Sequence, residues 1–441
     1  MQGFIVDCLE MEMEMNIYNG RAVAWEQEPV VVIDPGHGGT EGGTDDGAAY
    51  NGVTERFINM ATARAMYDEL SQYDGVKVYL THDSAMQHMT LGERAEFAKS
   101  VNADYLISIH YNASEEHIFY GSEVWIPSIG KYYAQGYGMA DILIDGFREK
   151  GLHIRGIKTR VGDGNDEYYG IIRESEHRDI TAIIIEHCHV DNENDLRYFD
   201  SESDYEEFGK ADATAVAKYL GLHSSVNGAD YTGYETISVN QPAQRVFQDT
   251  TPPDLCEVVL SEPVQGNGQI KLTIEGADHD TEIGYYAYSF NGGEEYSDLF
   301  EWRDMDHDGR EEIIISNIER KNADFVVRVY NNYNLYTDSQ VLSIQGINQA
   351  LEETEYMTES EGTKETKETA ESAEITENTD KVTLVEGTGY AEAQNNRYDA
   401  LKIGGVTAFV LSGMVLTTFL YRKLRRKQRK DKHSGKHSGK E

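Results

Sequence analysis

The sequence predicts an α/β domain with a twisted, mostly parallel sheet flanked by helices, followed by an all-β immunoglobulin-like sandwich, a disordered stalk and one C-terminal transmembrane helix. Three observations support this order. Val/Ile-rich runs alternate with amphipathic stretches over residues 29–221, short segments of alternating hydrophobicity fill residues 251–346, and residues 403–421 carry no charge. A chain of 441 residues is long enough for two or three domains with cores of their own.

The α/β domain is predicted from five strand candidates and the helical stretches between them. Near-continuous apolar runs that are separated by amphipathic helices are typical of a parallel sheet with both faces covered. The helical stretches lie at about 55–71, 91–102, 132–150 and 204–220. The strand candidates are PVVVID (29–34), VKVYLTH (76–82), DYLISIH (104–110), SEVWIP (122–127) and DITAIIIEH (179–187).

Four polar residues stand where ligands bind in such sheets, which is beyond the carboxyl ends of the strands. His37 follows the first strand across a Pro-Gly turn, and His110 and Glu186 end two later strands. Glu55 begins the first helix, after a glycine-rich loop. Two imidazoles and one carboxylate, with an open position for water, form the ligand set of a catalytic zinc site, and a further carboxylate can take a proton from that water. Each residue alone also has a structural explanation, since a histidine after a strand is often structural and a glutamate that opens a helix favours the helix dipole.

The order of four motifs is similar to that of a known enzyme family. The resemblance is to zinc-dependent N-acetylmuramoyl-L-alanine amidases of the family-3 type, and it is carried by IDPGHGG (33–39), DDGA with NGVTE (45–55), TLGERAEFAKSVNADYLISIHYNAS (90–114) and IIIEHCHVDNENDLRYF (183–199). It extends over roughly residues 29–221 and includes every position that the chemistry needs.

The resemblance implies a hydrolase that acts on peptidoglycan and cleaves the amide between the lactyl group of N-acetylmuramic acid and the L-alanine of the stem peptide. It implies one Zn²⁺ held by His37, Glu55 and His110, with Glu186 as the catalytic glutamate that moves the proton. Asn112 is expected to hydrogen-bond near the substrate. Arg94 is expected to brace its helix against the sheet rather than to touch substrate.

All four side chains from Glu186 to His189 are credible zinc or redox groups. Strand alternation predicts Glu186 and Cys188 on one side of the sheet and His187 on the other. The family usually has Gly and Phe where this chain has Cys188 and His189. Cys188 is therefore expected to fill the small position of the glycine, and His189 to pack in place of the aromatic ring. A substrate contact by His189 is left open. A fourth protein ligand would close the position that water needs, and the stretch is therefore predicted to supply no metal ligand. A second departure is His82, where the family commonly has Arg.

Residues 222–250 are predicted to be a linker, and residues 251–346 an immunoglobulin-like β-sandwich whose partner the sequence does not identify. Short runs of alternating hydrophobicity at regular spacing, with Asn-Gly turns, favour this fold. Within it, Asp304, Asp306 and Asp308 resemble the start of a Ca²⁺ loop. A full EF-hand loop requires Glu at its twelfth position, which is Ile315 here, so a calcium-binding hairpin loop and a solvated acidic turn both remain open.

Residues 347–441 predict a surface protein with a single-pass anchor. Residues 347–400 are rich in Glu and Thr and poor in apolar residues, which is typical of a disordered stalk. A helix over residues 403–421 would rise about 28 Å, close to the ~30 Å hydrocarbon core of a bilayer. The basic tail, residues 422–441, is expected on the cytoplasmic side of a bacterial cell membrane, with the catalytic domain outside.

Such a topology requires export, and residues 1–28 are interpreted as the remnant of an export signal. Ala22-Val23-Ala24 resembles the end of a cleavage site, but no continuous hydrophobic region precedes it, so the start is expected to be truncated or wrongly placed.

Charge and cysteine content exclude some classes of protein, and two alternatives to an amidase remain. A formal net charge of −39 argues against a nucleic-acid-binding protein, which needs a basic surface. The three cysteines form no disulfide framework. The first alternative is a zinc peptidase that acts on stem peptides with the same ligands. The second is a non-catalytic wall-binding surface protein on an amidase scaffold, which would not need all four polar residues.

Overall fold

The computed structural model describes residues 28–40, 43–304 and 307–349. Five α-helices are present in this part of the chain: α1 (Glu55–Leu70), α2 (Leu91–Ser100), α3 (Gly130–Glu149), α4 (Gly170–Glu176) and α5 (Glu202–Leu220). The first ten strands are β1 (Val30–Pro35), β2 (Gly38–Thr40), β3 (Gly43–Asp45), β4 (Ala49–Tyr50), β5 (Val53–Thr54), β6 (Lys77–Leu80), β7 (Tyr105–Asn112), β8 (Ser122–Trp125), β9 (Ile154–Lys158) and β10 (Thr181–His189). The remaining strands are β11 (Leu255–Leu260), β12 (Ile270–Ala277), β13 (Ile283–Ser289), β14 (Phe300–Glu301), β15 (Arg310–Ile315), β16 (Ala323–Asn331), β17 (Tyr336–Asp338) and β18 (Leu342–Ile344).

The N-terminal domain is built on a six-stranded sheet in the order β6-β1-β7-β10-β8-β9. Strands β6, β1, β7 and β10 run parallel, β8 is antiparallel to β10, and β9 is parallel to β8. The prediction of a mostly parallel sheet flanked by helices is confirmed. Strand β9 and helix α4 were not predicted. The charges and the glycine in the β9 sequence, IRGIK, obscure its strand pattern, and α4 has only 7 residues.

Helices cover both faces of this sheet. One core contains Met66 of α1, Leu143 of α3 and Val216 of α5, and the other contains Ala98 of α2 and Ile171 of α4. Helices α2 and α5 each begin with a capping box, in which the first-turn carboxylate and the N-cap hydroxyl satisfy each other's backbone N–H groups. These caps fix the first residue of each helix. They thereby fix where the loop before each helix ends.

The later part of the described chain is rich in β-structure, as predicted. A three-stranded sheet, β11-β12-β15, and a second sheet of β14-β13-β16-β17, to which β18 adds on β16, are both antiparallel. Both contribute to one core, with Leu272 and Ile315 from the first sheet and Phe325 and Val327 from the second. We call Leu255–Ile344 the β module; its likeness to an immunoglobulin domain stays a prediction.

The β module packs directly against the α/β domain. Phe119 and Tyr120, which precede β8, form a shared apolar cluster with Tyr285, Leu299 and Tyr330 of the β module. Between the two, residues 222–250 carry no helix or strand and lie along the α/β domain. In this segment, for example, Arg245 pairs with Glu176 at 3.0 Å.

Several sequence predictions fall outside the described residues. They are the N-terminal segment up to residue 27, the stalk from residue 350 onward, the membrane helix at 403–421 and the basic tail. The predicted start of the stalk at residue 347 is wrong, because Ile347 is fully buried in the core that the two antiparallel sheets share. Among the helices that the structure describes, none is long and apolar enough to cross a membrane.

Candidate active site

Three side chains converge at the carboxyl end of the sheet. Glu55 lies between two imidazoles: its Oε2 is 3.1 Å from His37 Nε2, and its Oε1 is 3.0 Å from His110 Nδ1. One ligand atom from each residue lies within 4.8 Å of the other two. The structure therefore brings together the three residues that the sequence predicted as metal ligands.

Each of the three is held by a different element. His37 follows β1 with a left-handed backbone, φ 64°, and Asp45 Oδ1 lies 2.8 Å from its Nδ1, which fixes the ring so that Nε2 faces Glu55. His110 lies in β7. Glu55 is the first residue of α1, and its carboxylate accepts backbone N–H groups from Ala48 at 2.7 Å and Tyr111 at 3.2 Å. The loop, the strand and the helix thus meet at one point.

A buried network under the turn holds His37 in place. Arg94 is 3% exposed, and it donates to Asp34 at 2.8 Å, to the carbonyl of Pro35 at 2.6 Å and to the carbonyl of His37. Ser108 donates to the other oxygen of Asp34 at 3.0 Å. Arg94 thus braces α2 against the sheet, as predicted, and in addition supports the turn that carries a candidate ligand.

Two glycines leave room for the site. A Cβ at Gly36 would overlap the ring of His110, and a Cβ at Gly47 would overlap Glu55 Oε2 and the ring of His37. Two imidazoles and one carboxylate are a donor set that zinc prefers, so the residues present fit a zinc ion.

The electrostatics of the site favour an ionised Glu55. Burial works to raise the pKa of this carboxyl group, but hydrogen bonds from His110 and His37 outweigh it and hold the pKa well below its usual range. Burial likewise opposes protonation of His37, whereas Glu55 and Asp45 together raise its pKa to about 9. A buried anion that attracts positive charge onto its neighbours is the environment in which a divalent cation is stabilised.

Glu186 lies beside this group, near the end of β10. In the sheet it pairs with His110 of β7 on one side and with Glu123 of β8 on the other. Its Oε2 is buried and has no hydrogen-bond partner among the described residues. Burial, followed by the charges of Glu55 and Glu123, raises the pKa of Glu186 well above its usual range. A carboxyl group with a raised pKa and a free oxygen is suited to accept and return a proton.

A β-bulge follows Glu186 and corrects the predicted side-chain alternation. Between Glu186 and His189 strand β10 has one residue more than β7, which breaks the period of two. His187 stacks on Tyr111, and Cys188 belongs to the core on that same face of the sheet. The expectation that Cys188 shares a side with Glu186 is therefore wrong. In the described chain, the metal-ligand group contains none of residues 186–189.

His187 and His189 are both engaged in hydrogen bonds. His187 Nε2 lies 2.8 Å from Asp212 Oδ2, and its Nδ1 donates to the carbonyl of His110 at 3.0 Å. His189 is 1% exposed, and its Nδ1 donates to the carbonyl of Gly121 at 3.1 Å. Burial, followed by the charge of Arg155, lowers the pKa of His189 to about 3. His189 therefore packs as a neutral ring, and a substrate contact by it stays a prediction.

The side chain of Asn112 is held by Glu123, and the expected hydrogen bond of Asn112 near the substrate stays a prediction. Its Nδ2 donates to Glu123 Oε1 at 3.0 Å, and Glu123 also accepts hydrogen bonds from Arg155 at 2.8 Å and Lys158 at 2.5 Å. Sequence reasoning missed this cluster, although a buried strand that carries an isolated charge, as in SEVW and IRGIK, was a usable signal. A cleft of about 530 Å³ lies over it, lined in part by Asn112, Glu123 and Asn334.

The predicted calcium loop has no support. Asp306 lies outside the described residues. Both oxygens of Asp304 accept backbone N–H groups, from Asp308 at 3.0 Å and from Gly309 at 2.7 Å. In the described part of the chain, neither Asp304 nor Asp308 belongs to a group of side chains that could hold a metal ion. The local geometry is that of an acidic turn closed by its own aspartate.

Comparison with known proteins agrees with this geometry. A family model described as N-acetylmuramoyl-L-alanine amidase matches residues 31–218. The N-acetylmuramoyl-L-alanine amidase CwlM of Bacillus licheniformis is 30% identical over 198 residues, which cover 44% of this chain and 69% of CwlM. The chain belongs to the N-acetylmuramoyl-L-alanine amidase family. The resemblance seen in the sequence is confirmed, and residues 31–218 are called the amidase domain below.

Two further relatives show how far the likeness extends. The sporulation-specific N-acetylmuramoyl-L-alanine amidase of Bacillus subtilis strain 168 is 37% identical over 84 residues, which cover 19% of this chain and 31% of that amidase. The catalytic domain of CwlV, an amidase from Bacillus (Paenibacillus) polymyxa var. colistinus, aligns with a TM-score of 0.36 and 26% identity, over 43% of this chain and 97% of that domain. The chain thus spans less than a third of the sporulation-specific enzyme.

Proposed function

We propose that this protein hydrolyses the amide between the lactyl group of N-acetylmuramic acid and the L-alanine of the stem peptide in peptidoglycan. The observation that carries the proposal is the convergence of His37, Glu55 and His110 next to the unpartnered carboxylate oxygen of Glu186. Membership of the amidase family supports the choice of substrate bond.

His37, Glu55 and His110 would hold one zinc ion and leave a position open for water. When bound there, zinc would polarise the scissile carbonyl and lower the pKa of the attacking water. Asp45 keeps the His37 ring oriented with Nε2 toward the site. The buried carboxylate of Glu55 supplies the negative charge that offsets the cation.

Glu186 accepts the proton of the attacking water and returns a proton to the nitrogen of L-alanine as the carbon–nitrogen bond breaks. The products are a free lactyl carboxylate and a stem peptide with a free amino terminus. The raised pKa of Glu186 makes its protonated form a competent acid for the second transfer.

We also propose that the enzyme acts at the bacterial cell surface. The support is in the sequence, where an acidic stretch after residue 349, an uncharged run at 403–421 and a basic tail at 422–441 follow the folded part. A single-pass anchor with a stalk would confine the enzyme near the membrane and raise its local concentration at the wall.

The test is identification of the products. The purified protein with added zinc is incubated with muropeptides, and the fragments are analysed by mass spectrometry and amino-terminal labelling. We expect unsubstituted muramic lactyl groups together with peptides that begin with a free L-alanine. Cleavage only within the stem peptide would identify a zinc peptidase instead, and binding without cleavage would identify a wall-binding protein.

A further inference from the structure

Glu123 lies directly across the sheet from the proposed catalytic glutamate. The antiparallel register of β8 and β10 places Glu123 opposite Glu186, and such residues have Cβ atoms about 4.5–5.5 Å apart. Glu123 is 2% exposed. A buried carboxylate next to Glu186 would be strongly unfavourable unless cations offset it. The side chains that offset it therefore matter for the geometry of the site.

Two cations from β9 surround Glu123. Arg155 Nε lies 2.8 Å and Lys158 Nζ 2.5 Å from Glu123 Oε2, and each cation is only 3% exposed. The other oxygen, Oε1, accepts the hydrogen bond from Asn112, which is two residues beyond the candidate ligand His110. A shift of Glu123 would thus be transmitted to the strand that carries His110 and to the space next to Glu186.

The β module completes this cluster. The guanidinium of Arg155 donates from Nη1 to the hydroxyl of Tyr285 at 2.8 Å and from Nη2 to Oδ1 of Asn334 at 2.9 Å. All three guanidinium nitrogens of Arg155 therefore donate hydrogen bonds, one to Glu123 and two to residues of the β module. Lys158 Nζ lies 5.3 Å from the ring centre of Tyr333, also of the β module. Without these partners, Glu123 would be the only described hydrogen-bond partner left to the guanidinium of Arg155.

We infer that Tyr285 and Asn334 are positioning residues of the active site. They hold Arg155, Arg155 holds Glu123, and Glu123 fixes Asn112 next to His110 and Glu186. The inference rests on the proposed function and adds that the β module forms part of the catalytic rim. The cleft lined by both parts, from Asn112 and Glu123 to Asn334 and Tyr333, is consistent with this arrangement.

The first test removes the carboxamide of Asn334 without disturbing its backbone. Asn334 has φ 67°, so Asn334→Gly keeps the left-handed turn and deletes only the acceptor. We expect kcat on muropeptides to fall about tenfold or more with KM changed less than about twofold, as for residues that act through another group at a metal site. The matched control is Asn317→Gly, since Asn317 is exposed in the β module with φ 60°, and it should leave kcat unchanged. Asn334→Asp restores an acceptor and should recover most of kcat.

The second test uses Tyr285→Phe, which keeps the buried ring and deletes the hydroxyl that accepts from Arg155 and donates to the carbonyl of Tyr120. Tyr286→Phe is the control, because Tyr286 is the next residue of β13 and its ring stacks on Phe300 within the β module. We expect a fall in kcat for Tyr285→Phe alone, with bound zinc and melting temperature close to those of the wild type. If Asn334→Gly does not fold, Tyr285→Phe decides the outcome.

The outcomes separate the two proposals. Unchanged kcat in both variants, an equal loss in the controls, or a rise in KM alone would overturn the positioning role while the wild-type enzyme stays active. An inactive wild-type protein would overturn the proposed function itself, and this inference with it.

Discussion

Gly47 has a backbone φ of +67° and lies against two candidate metal ligands, Glu55 and His37. Gly47→Ala would insert a methyl group against both, so we expect zinc binding and activity to be lost. Gly52 is the matched control, because its φ is +81° and a Cβ there meets no atom within 4 Å. Both substitutions incur a backbone cost of about 1–2 kcal/mol, but only Gly47→Ala should abolish the site. Isothermal titration with zinc measures the difference, and equal zinc affinity in the two variants would contradict the geometry.

The buried side chain of His82 leads us to expect a pH-dependent loss of stability. It is 4% exposed, and burial followed by the charge of Arg94 lowers its pKa to about 4, against the opposing charges of Asp34 and Asp83. The unfolded chain binds a proton at His82 below about pH 6.5 whereas the folded protein does not, so stability falls as pH drops from 6.5 to 4. The loss from this group is on the order of 3 kcal/mol at pH 4.

The check is urea denaturation of the metal-free protein at several pH values. His82→Asn keeps a donor for the hydroxyl of Thr81, which His82 Nδ1 approaches at 2.9 Å, and does not titrate. The variant should lose less stability than the wild type between pH 6.5 and 4. Parallel curves for the two proteins would show that His82 titrates normally in the folded state.

Some residues of the candidate active site could be predicted from the sequence, and others could not. His37, Glu55, His110 and Glu186 were accessible because each stands at the end of a strand or the start of a helix in a recognisable motif. Glu123, Arg155 and Lys158 were not recognised. Charges within the buried strands β8 and β9 are a local signal, but the partners of these charges depend on contacts between β8, β9 and the β module. Contacts between side chains that are far apart in the sequence could not be predicted from the sequence alone.

Among contacts between secondary-structure elements, a fully buried pair joins helix α5 to the sheet. It consists of His187 of β10 and Asp212 of α5. Burial raises the pKa of the Asp212 carboxyl group, and contact with His187 works in the opposite direction. Asp212→Ala would leave the buried Nε2 of His187 without its carboxylate partner, and we expect the free energy of unfolding to fall by about 3–5 kcal/mol. Chemical denaturation measures the change.

Glu206→Ala is the control on the same helix, because Glu206 pairs with Lys210 in solvent. An exposed pair of this kind contributes less than about 1 kcal/mol, so the control should be nearly neutral. A similar small effect of Asp212→Ala would mean that the pair does not anchor α5.

The elements themselves were largely predictable, with exceptions that have physical causes. Helix α1 was predicted at about 55–71 and lies at Glu55–Leu70, because its apolar period and its boundaries are both local signals. The β-bulge after Glu186 was not foreseen, since an inserted residue has no sequence mark of its own, and it reversed the expected side of Cys188. Strand β9 was missed because its buried charges are stabilised only by distant partners.

At the scale of the whole molecule, the shared cluster of Phe119, Tyr120, Tyr285 and Leu299 joins the amidase domain to the β module. Together with the buried Arg155 contacts, it predicts that the two parts unfold in one cooperative transition. Differential scanning calorimetry of the protein should show a single heat-absorption peak for them. Two well-separated transitions would indicate that the β module is an independent appendage.

The most direct test of the central claim is the rate at which the zinc-loaded protein and its Glu186→Gln variant release stem peptides from muropeptides. Since Glu186 is proposed to move protons and not to bind metal, the variant should retain one zinc per chain while its kcat falls at least about a hundredfold. A chelator should abolish activity of the wild-type protein, and added zinc should restore it. A Glu186→Gln variant that binds zinc and cleaves muropeptides at the wild-type rate would contradict the account.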